Sequence, residues 1–170
     1  HWLERQQNSD GSWSPDPAGI AEGATDNFQN NVFRTTAYVT WALAEAGLED
    51  AAVEQGLAYL ASHRLEALDS YSRAIALEAF IAADPTNTMS SHFIEELIDD
   101  ALVADGAASW GNEEGSTGLT YSMGSAHAIE TTALVVDAFT RAGVQQELAE
   151  QGMSFLVRNK DAFGNWETTQ

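Results

Sequence analysis

Four histidines, the adjacent Glu113-Glu114 and five tryptophans carry most of the chemistry this sequence offers. The histidines, His1, His63, His92 and His127, are spread too widely for a local metal motif such as His-Glu-x-x-His. There is no cysteine, which removes disulfides, cysteine-ligated zinc, iron–sulfur clusters and thiol nucleophiles from these residues. His127 stands just ahead of Thr131-Thr132 and could polarise a ligand or act as a general base; the simpler reading is a polar residue that caps or lines a helix start. Glu113-Glu114 could supply one carboxylate of a glycosidase pair. No partner carboxylate is identifiable, so a solvated acidic loop is expected. Glu130 is expected to open a helix, where the dipole favours a carboxylate. Among the tryptophans, Trp13, Trp110 and Trp166 occupy repeated corners and are expected to pack, whereas Trp41 is placed to stack against a ligand in the interior. The candidate binding residues are therefore Trp41, His127 and Glu130; no catalytic residue, metal ligand or cofactor is assigned. Arg73 is the expected member of a buried ion pair. Asp99, Asp100 and Asp105 are expected on an outer helix and its end, pointing away from any interior site.

These residues need a scaffold, and the sequence repeats itself to build one. Thr35–His63 aligns without a gap on Thr131–Asn159, sharing Thr-Thr-Ala, Val39/Val135, Ala42/Ala138, Gly47/Gly143, Gly56/Gly152 and Leu60/Leu156. A fainter copy places Ala74, Ala79 and Ala83 at the spacing of Ala37, Ala42 and Ala46. Each copy reads as two helices. The first (33–46, 69–83, 126–142) is apolar on most faces and is expected to be buried on most faces, its alanines permitting close approach and facing the centre. Gly47 and Gly143 suit left-handed helix stops, Asp84-Pro85 ends the middle copy, and Asp69 or Ser70 is the expected N-cap there. The second helix (50–63, 88–104, 145–158) is amphipathic, as with Phe93, Ile94, Leu97 and Ile98 opposite Glu95, Glu96, Asp99 and Asp100. It covers the first from outside. The single strand candidate is Leu119–Met123, and it is short.

A corner joins one hairpin to the next. Asp10-Gly11-Ser12-Trp13 ends the first helical stretch, and Phe163-Gly164-Asn165-Trp166 repeats the device; Ala107–Trp110 is a looser version. The glycine is expected to take a positive φ and the tryptophan to fold back over the helix end. Outer helix, corner and inner helix recur three times, which predicts an all-α fold: a partial α/α ring of about three hairpins.

The ordered segments resemble a known family. Gln7 to Trp13 is similar to the corner motif of α/α-toroid proteins, the terpenoid-cyclase and prenyltransferase-like superfamily. Thr35-Thr36-Ala37-Tyr38-Val39, Tyr71-Ser72-Arg73-Ala74-Ile75-Ala76, Glu130-Thr131-Thr132-Ala133-Leu134 and Gly164-Asn165-Trp166-Glu167-Thr168-Thr169-Gln170 follow in the order of the thioester domain of the alpha-2-macroglobulin and complement family. The resemblance implies about six hairpins in a full ring, so this chain would be roughly the second half of one domain, over residues 1–170. The opening His1-Trp2-Leu3-Glu4, which begins inside a pattern, likewise suggests a piece of a longer protein. The family's thioester joins a Cys and a Gln of an upstream motif, and no cysteine is present here. The histidine that tunes that chemistry in some members also lacks a counterpart, since the stretch between Ala58 and Asp69 is short.

Charge narrows the partners. With 7 Lys+Arg against 26 Asp+Glu the formal net charge is −19, which repels phosphate backbones and anionic membrane surfaces. No stretch reaches the length of a transmembrane helix. The resemblance implies a protease-trapping or tethering scaffold, extracellular or periplasmic, that partners proteases or other domains of its parent. An α/α-toroid enzyme is the alternative (a cyclase, a prenyltransferase or a polysaccharide-active protein), although the Asp-x-Asp-Asp motif and a Cys/His zinc set are missing. A non-catalytic toroid repeat protein is the third reading. A half-ring should leave apolar surface at its ends, so self-association is expected.

Overall fold

The computed structural model describes residues 2–15, 31–47, 51–119, 122–161 and 163–166. His1, Glu49, Asp50 and the Glu167–Gln170 end of the family-like motif lie outside them. Among these residues the α-helices are α1 (Trp2–Gln6), α2 (Val32–Glu45), α3 (Ala51–Ser62), α4 (Ser70–Ala83), α5 (Thr88–Asp99), α6 (Gly124–Ala142) and α7 (Gln146–Arg158). Side-chain caps start three of them: Asn31 accepts from the Arg34 N–H, Asp69 from the Ser72 N–H and Asn87 from the Met89 N–H. Gly143, at φ +67°, ends α6 in the left-handed conformation that only glycine takes without strain.

The helices form an arc. α4 packs between α2 and α6, while α3, α5 and α7 cover α2, α4 and α6 from outside. Having neighbours on both flanks, α4 buries nearly every residue from Ser70 to Ile81. The alanines divide accordingly. Ala37, Ala74, Ala79 and Ala138 are fully buried. Ala42 of α2 and Ala133 of α6 are exposed, because each of those helices has a single inner neighbour among the described helices, and Ala46 and Ala83 are exposed at the ends of α2 and α4. The core between the layers is built from Phe33, Leu60, Phe80, Phe93, Leu97 and Phe139.

The middle outer helix is shorter than the sequence suggested. It stops at Asp99, and Leu102–Ala104 (β1) pairs antiparallel with Ala107–Ser109 (β2) across a turn with Asp105 at φ +52° and Gly106 at φ +72°. Of the expected strand at Leu119–Met123, Thr120 and Tyr121 lie outside the described residues, and Met123 forms an isolated bridge with Thr117. Asp-Gly is a strong hairpin signal, and it overrides the helical pattern of Ala101 and Leu102.

The tryptophan corners are stitches between successive hairpins. The Trp13 indole N–H donates to the Leu3 carbonyl of the preceding outer segment, its backbone N–H donates to Thr36 Oγ1 on inner helix α2, and its ring lies against Gly56 of α3. Trp110 repeats this set with Leu97, Thr132 of α6 and Gly152 of α7. A Cβ on Gly56 would come within 3.0 Å of the Trp13 ring and collide with Thr40; one on Gly152 would sit 3.3 Å from Trp110 and collide with Val136. The shared Gly56/Gly152 position is therefore the socket for the indole.

Candidate functional site

The inner helices supply the walls of a cavity of about 450 Å³ on the concave face of the arc. Tyr38 and Trp41 come from α2, Tyr71 and Ile75 from α4, and Glu130, Leu134 and Asp137 from α6; Trp166 closes one side. These residues share a face because helical spacing puts Tyr71 and Ile75, and Glu130, Leu134 and Asp137, on successive turns. Tyr38 meets Trp41 edge-to-face, with centroids 6.2 Å apart and planes at 88°. The Trp41 indole N–H donates to Glu45 at 3.3 Å, which orients the ring along α2. The lining is dominated by aromatic and aliphatic carbon, with the carboxylates of Glu130 and Asp137 among it.

A polar cluster backs the cavity. The Tyr71 hydroxyl donates to Glu130 Oε1 at 3.3 Å and accepts from the Leu119 N–H at 3.1 Å. The Ser122 hydroxyl donates to the other oxygen of Glu130 and lies 3.3 Å from His127 Nδ1; Ser116 Oγ lies 2.9 Å from His127 Nε2. The donors and acceptors assign the tautomer. With its proton committed to Glu130, Ser122 can only accept from His127, so Nδ1 carries hydrogen and Nε2 accepts from Ser116. Burial holds the His127 pKa below the usual histidine value despite the upward pull of Glu130 and Asp69. Burial, then the neighbouring Glu130 charge, drives the Tyr71 hydroxyl well above the ordinary tyrosine range. This is a neutral histidine with both ring nitrogens engaged and 1% of its surface exposed.

Two further charge clusters frame the arc. At the start of α4, Arg34 pairs with Asp69 at 2.5 Å and lies over the Tyr71 ring, while Arg73 reaches Asp100 at 2.6 Å and Glu96 at 3.2 Å. At the far end of α4, Glu78 has no exposed side-chain surface and meets Arg141 at 3.0 Å, with its Oε1 lacking a hydrogen-bond partner. Arg141 is shared with Glu45 and Asp137. Burial pushes the Glu78 carboxyl up to about 8, with the Asp137 charge adding to it and Arg141 opposing.

Several expectations change on this geometry. Trp41 and Glu130 both line the cavity, whereas His127 sits behind it and is linked to Glu130 through Ser122. Glu130 does not open its helix: α6 begins at Gly124, two turns earlier, so the dipole account fails. Glu113 is tied down, accepting from the Ser70 hydroxyl at 2.7 Å and the Ser70 N–H at 3.2 Å. Asp100 turns inward onto Arg73 and Ser70 rather than away. Arg73 keeps 20% of its side chain exposed in its pairs, whereas the fully buried acid Glu78 pairs with an Arg141 that keeps 31%. Ser116, Ser122 and Glu78 carried no sequence signal, since neither serine lies in a repeat and Glu78 looks like an ordinary helical charge. Among the described residues, no three His, Asp or Glu side chains converge as a metal site, and no helix is long and apolar enough to cross a membrane.

Helical hairpins joined by glycine–tryptophan corners around a concave inner layer define the α/α-toroid class. The family model of the A-macroglobulin TED domain matches residues 1–170, and the chain belongs to that family. It is accordingly part of an alpha-2-macroglobulin-like protein, a domain within a larger multidomain chain. No curated protein matches it.

Proposed function

We propose that this chain is a non-catalytic scaffold portion of a protease-trapping or protease-tethering protein that works outside the cytoplasm, in the extracellular space or periplasm. The family match over all 170 residues carries the reading. The enclosed, neutral His127 supports the absence of chemistry here, because both nitrogens are occupied and a base must reach its substrate. Any thioester would have to take its cysteine from outside these residues. In the same reading the chain is one partial toroid domain, and other hairpins of its parent complete the ring.

The test is made on the full parent protein with endoproteases of several classes. A trap leaves the captured protease active on small peptide substrates and blocks it on large proteins. Equal loss on both, or no loss on either, would overturn the reading. The isolated chain should also self-associate through exposed apolar residues such as Trp2, Met153, Val157 and Phe163. A mass that stays monomeric by light scattering over a hundredfold concentration range contradicts that part.

A further inference from the structure

The geometry points to the concave cavity as a binding site for a small organic ammonium, a cationic nitrogen carried on an apolar body. This inference stands apart from protease trapping, since it concerns only the inner-helix face. The volume of about 450 Å³ falls within the roughly 300–1,000 Å³ of small-molecule sites, and the walls are mainly aromatic and aliphatic. Among the described residues the charged side chains on the lining are Glu130 and Asp137; Asp137 already faces Arg141 at 3.8 Å, which leaves Glu130 as the carboxylate for a cation. The protein as a whole carries −19. An apolar body would be held by Ile75 and Leu134 and a cation by the rings and the Glu130 carboxylate, whereas an anion would be repelled.

The aromatic lining already attracts cations within the molecule. The Arg34 guanidinium carbon lies 5.3 Å from the Tyr71 ring centre, and the Lys160 ammonium lies 4.4 Å from that of Trp166. Trp41, on the same wall, has no cation recorded over its ring among the described residues. It is also the ring best prepared for one. Its indole is fixed by Glu45 and by the edge of Tyr38, and Glu130 is fixed by Tyr71 and Ser122, so little side-chain freedom is lost on binding. Trp41 supplies the stacking face, and Glu130 the counter-charge.

Isothermal titration of the full chain with phenylbutylammonium, phenylbutanol and phenylbutyrate tests this. The ammonium should bind saturably at one site, about tenfold more tightly than the alcohol, and the carboxylate should give no saturable heat. Trp41→Ala should weaken ammonium binding by about tenfold, and Glu130→Gln should remove the preference for ammonium over alcohol. Leu134→Trp, which fills the cavity from an already half-buried position, should block all binding while circular dichroism stays unchanged. Replacing Glu95 on the outer face by Gln should alter nothing, which separates the site from general attraction to an acidic protein. Equal affinity for ammonium and alcohol, no saturable binding, or full affinity in both Trp41→Ala and Leu134→Trp would overturn the proposal.

Discussion

Trp13 and Trp110 are 2% and 1% exposed, whereas Trp166, in the same motif, is 39% exposed. All three indoles bond a carbonyl of the helical stretch before them: Leu3, Leu97 and Leu156. Only the first two also have a threonine hydroxyl over the backbone N–H and a glycine beneath the ring among the described residues. The corner itself is thus a local device, fixed by a glycine turn and an indole N–H. Its burial belongs to the next hairpin. One motif therefore has two energetic values, set by whether a partner layer covers it.

Substitutions should expose that difference, starting with the largest. Trp110→Ala should cost about 3–5 kcal/mol in urea unfolding, and Trp13→Ala a similar amount, since each removes a fully buried ring and leaves a cavity. Trp166→Ala should cost under about 1 kcal/mol, as expected of a partly exposed side chain. Equal losses at Trp110 and Trp166 would break the comparison. Next come the sockets. Gly56→Ala and Gly152→Ala should each cost about 1–3 kcal/mol, because the new methyl meets a stiff β-branched neighbour, Thr40 or Val136, as well as the indole. Gly47→Ala also loses stability through its φ of +72°, yet meets nothing within 4 Å, so its penalty should be the smaller one.

Ionisation separates the two ends of α4 in a different way. Glu78 has a folded pKa raised to about 8, so the native state holds a proton that the unfolded chain has released above about 4.5. Stability should therefore fall as pH rises between those values, and Glu78→Gln should flatten that slope. His127 has a folded pKa below 6.5, so the unfolded state takes up the extra proton. Stability should fall as pH drops below about 6.5, and His127→Gln should flatten the acid side. Thermal unfolding of the two variants across pH 4 to 9 checks both signs, because the slopes oppose each other where the windows overlap.

The contrast between local and long-range features also explains what the sequence reveals. The repeat, the Asp69 cap, the glycine stop at Gly143 and the tryptophan corners are written within a few residues of where they act, and all were legible. The hairpin at Leu102–Ser109 was not, since three-residue strands leave no alternation to read and Ala101-Leu102 continues the helical stripe. Trp41 could be placed toward the interior because inner helices face the axis of a ring, whereas Glu130 was singled out as a helix opener, which it is not. The rest of the site depends on contacts between distant positions. Glu78 meets Arg141 from 63 residues away, Glu113 reaches Ser70 from 43, and Tyr71 reaches Glu130 from 59. No local pattern marks such pairs; they follow from the curvature of the arc.

Backbone amide exchange at the three corner tryptophans tests the stitched arc most directly. The Trp13 and Trp110 amides, bonded to buried Thr36 and Thr132, should exchange only through global unfolding, slowed at least about a thousandfold relative to Trp166. Comparable, rapid exchange at all three would show that the hairpins are not held to one another in this way.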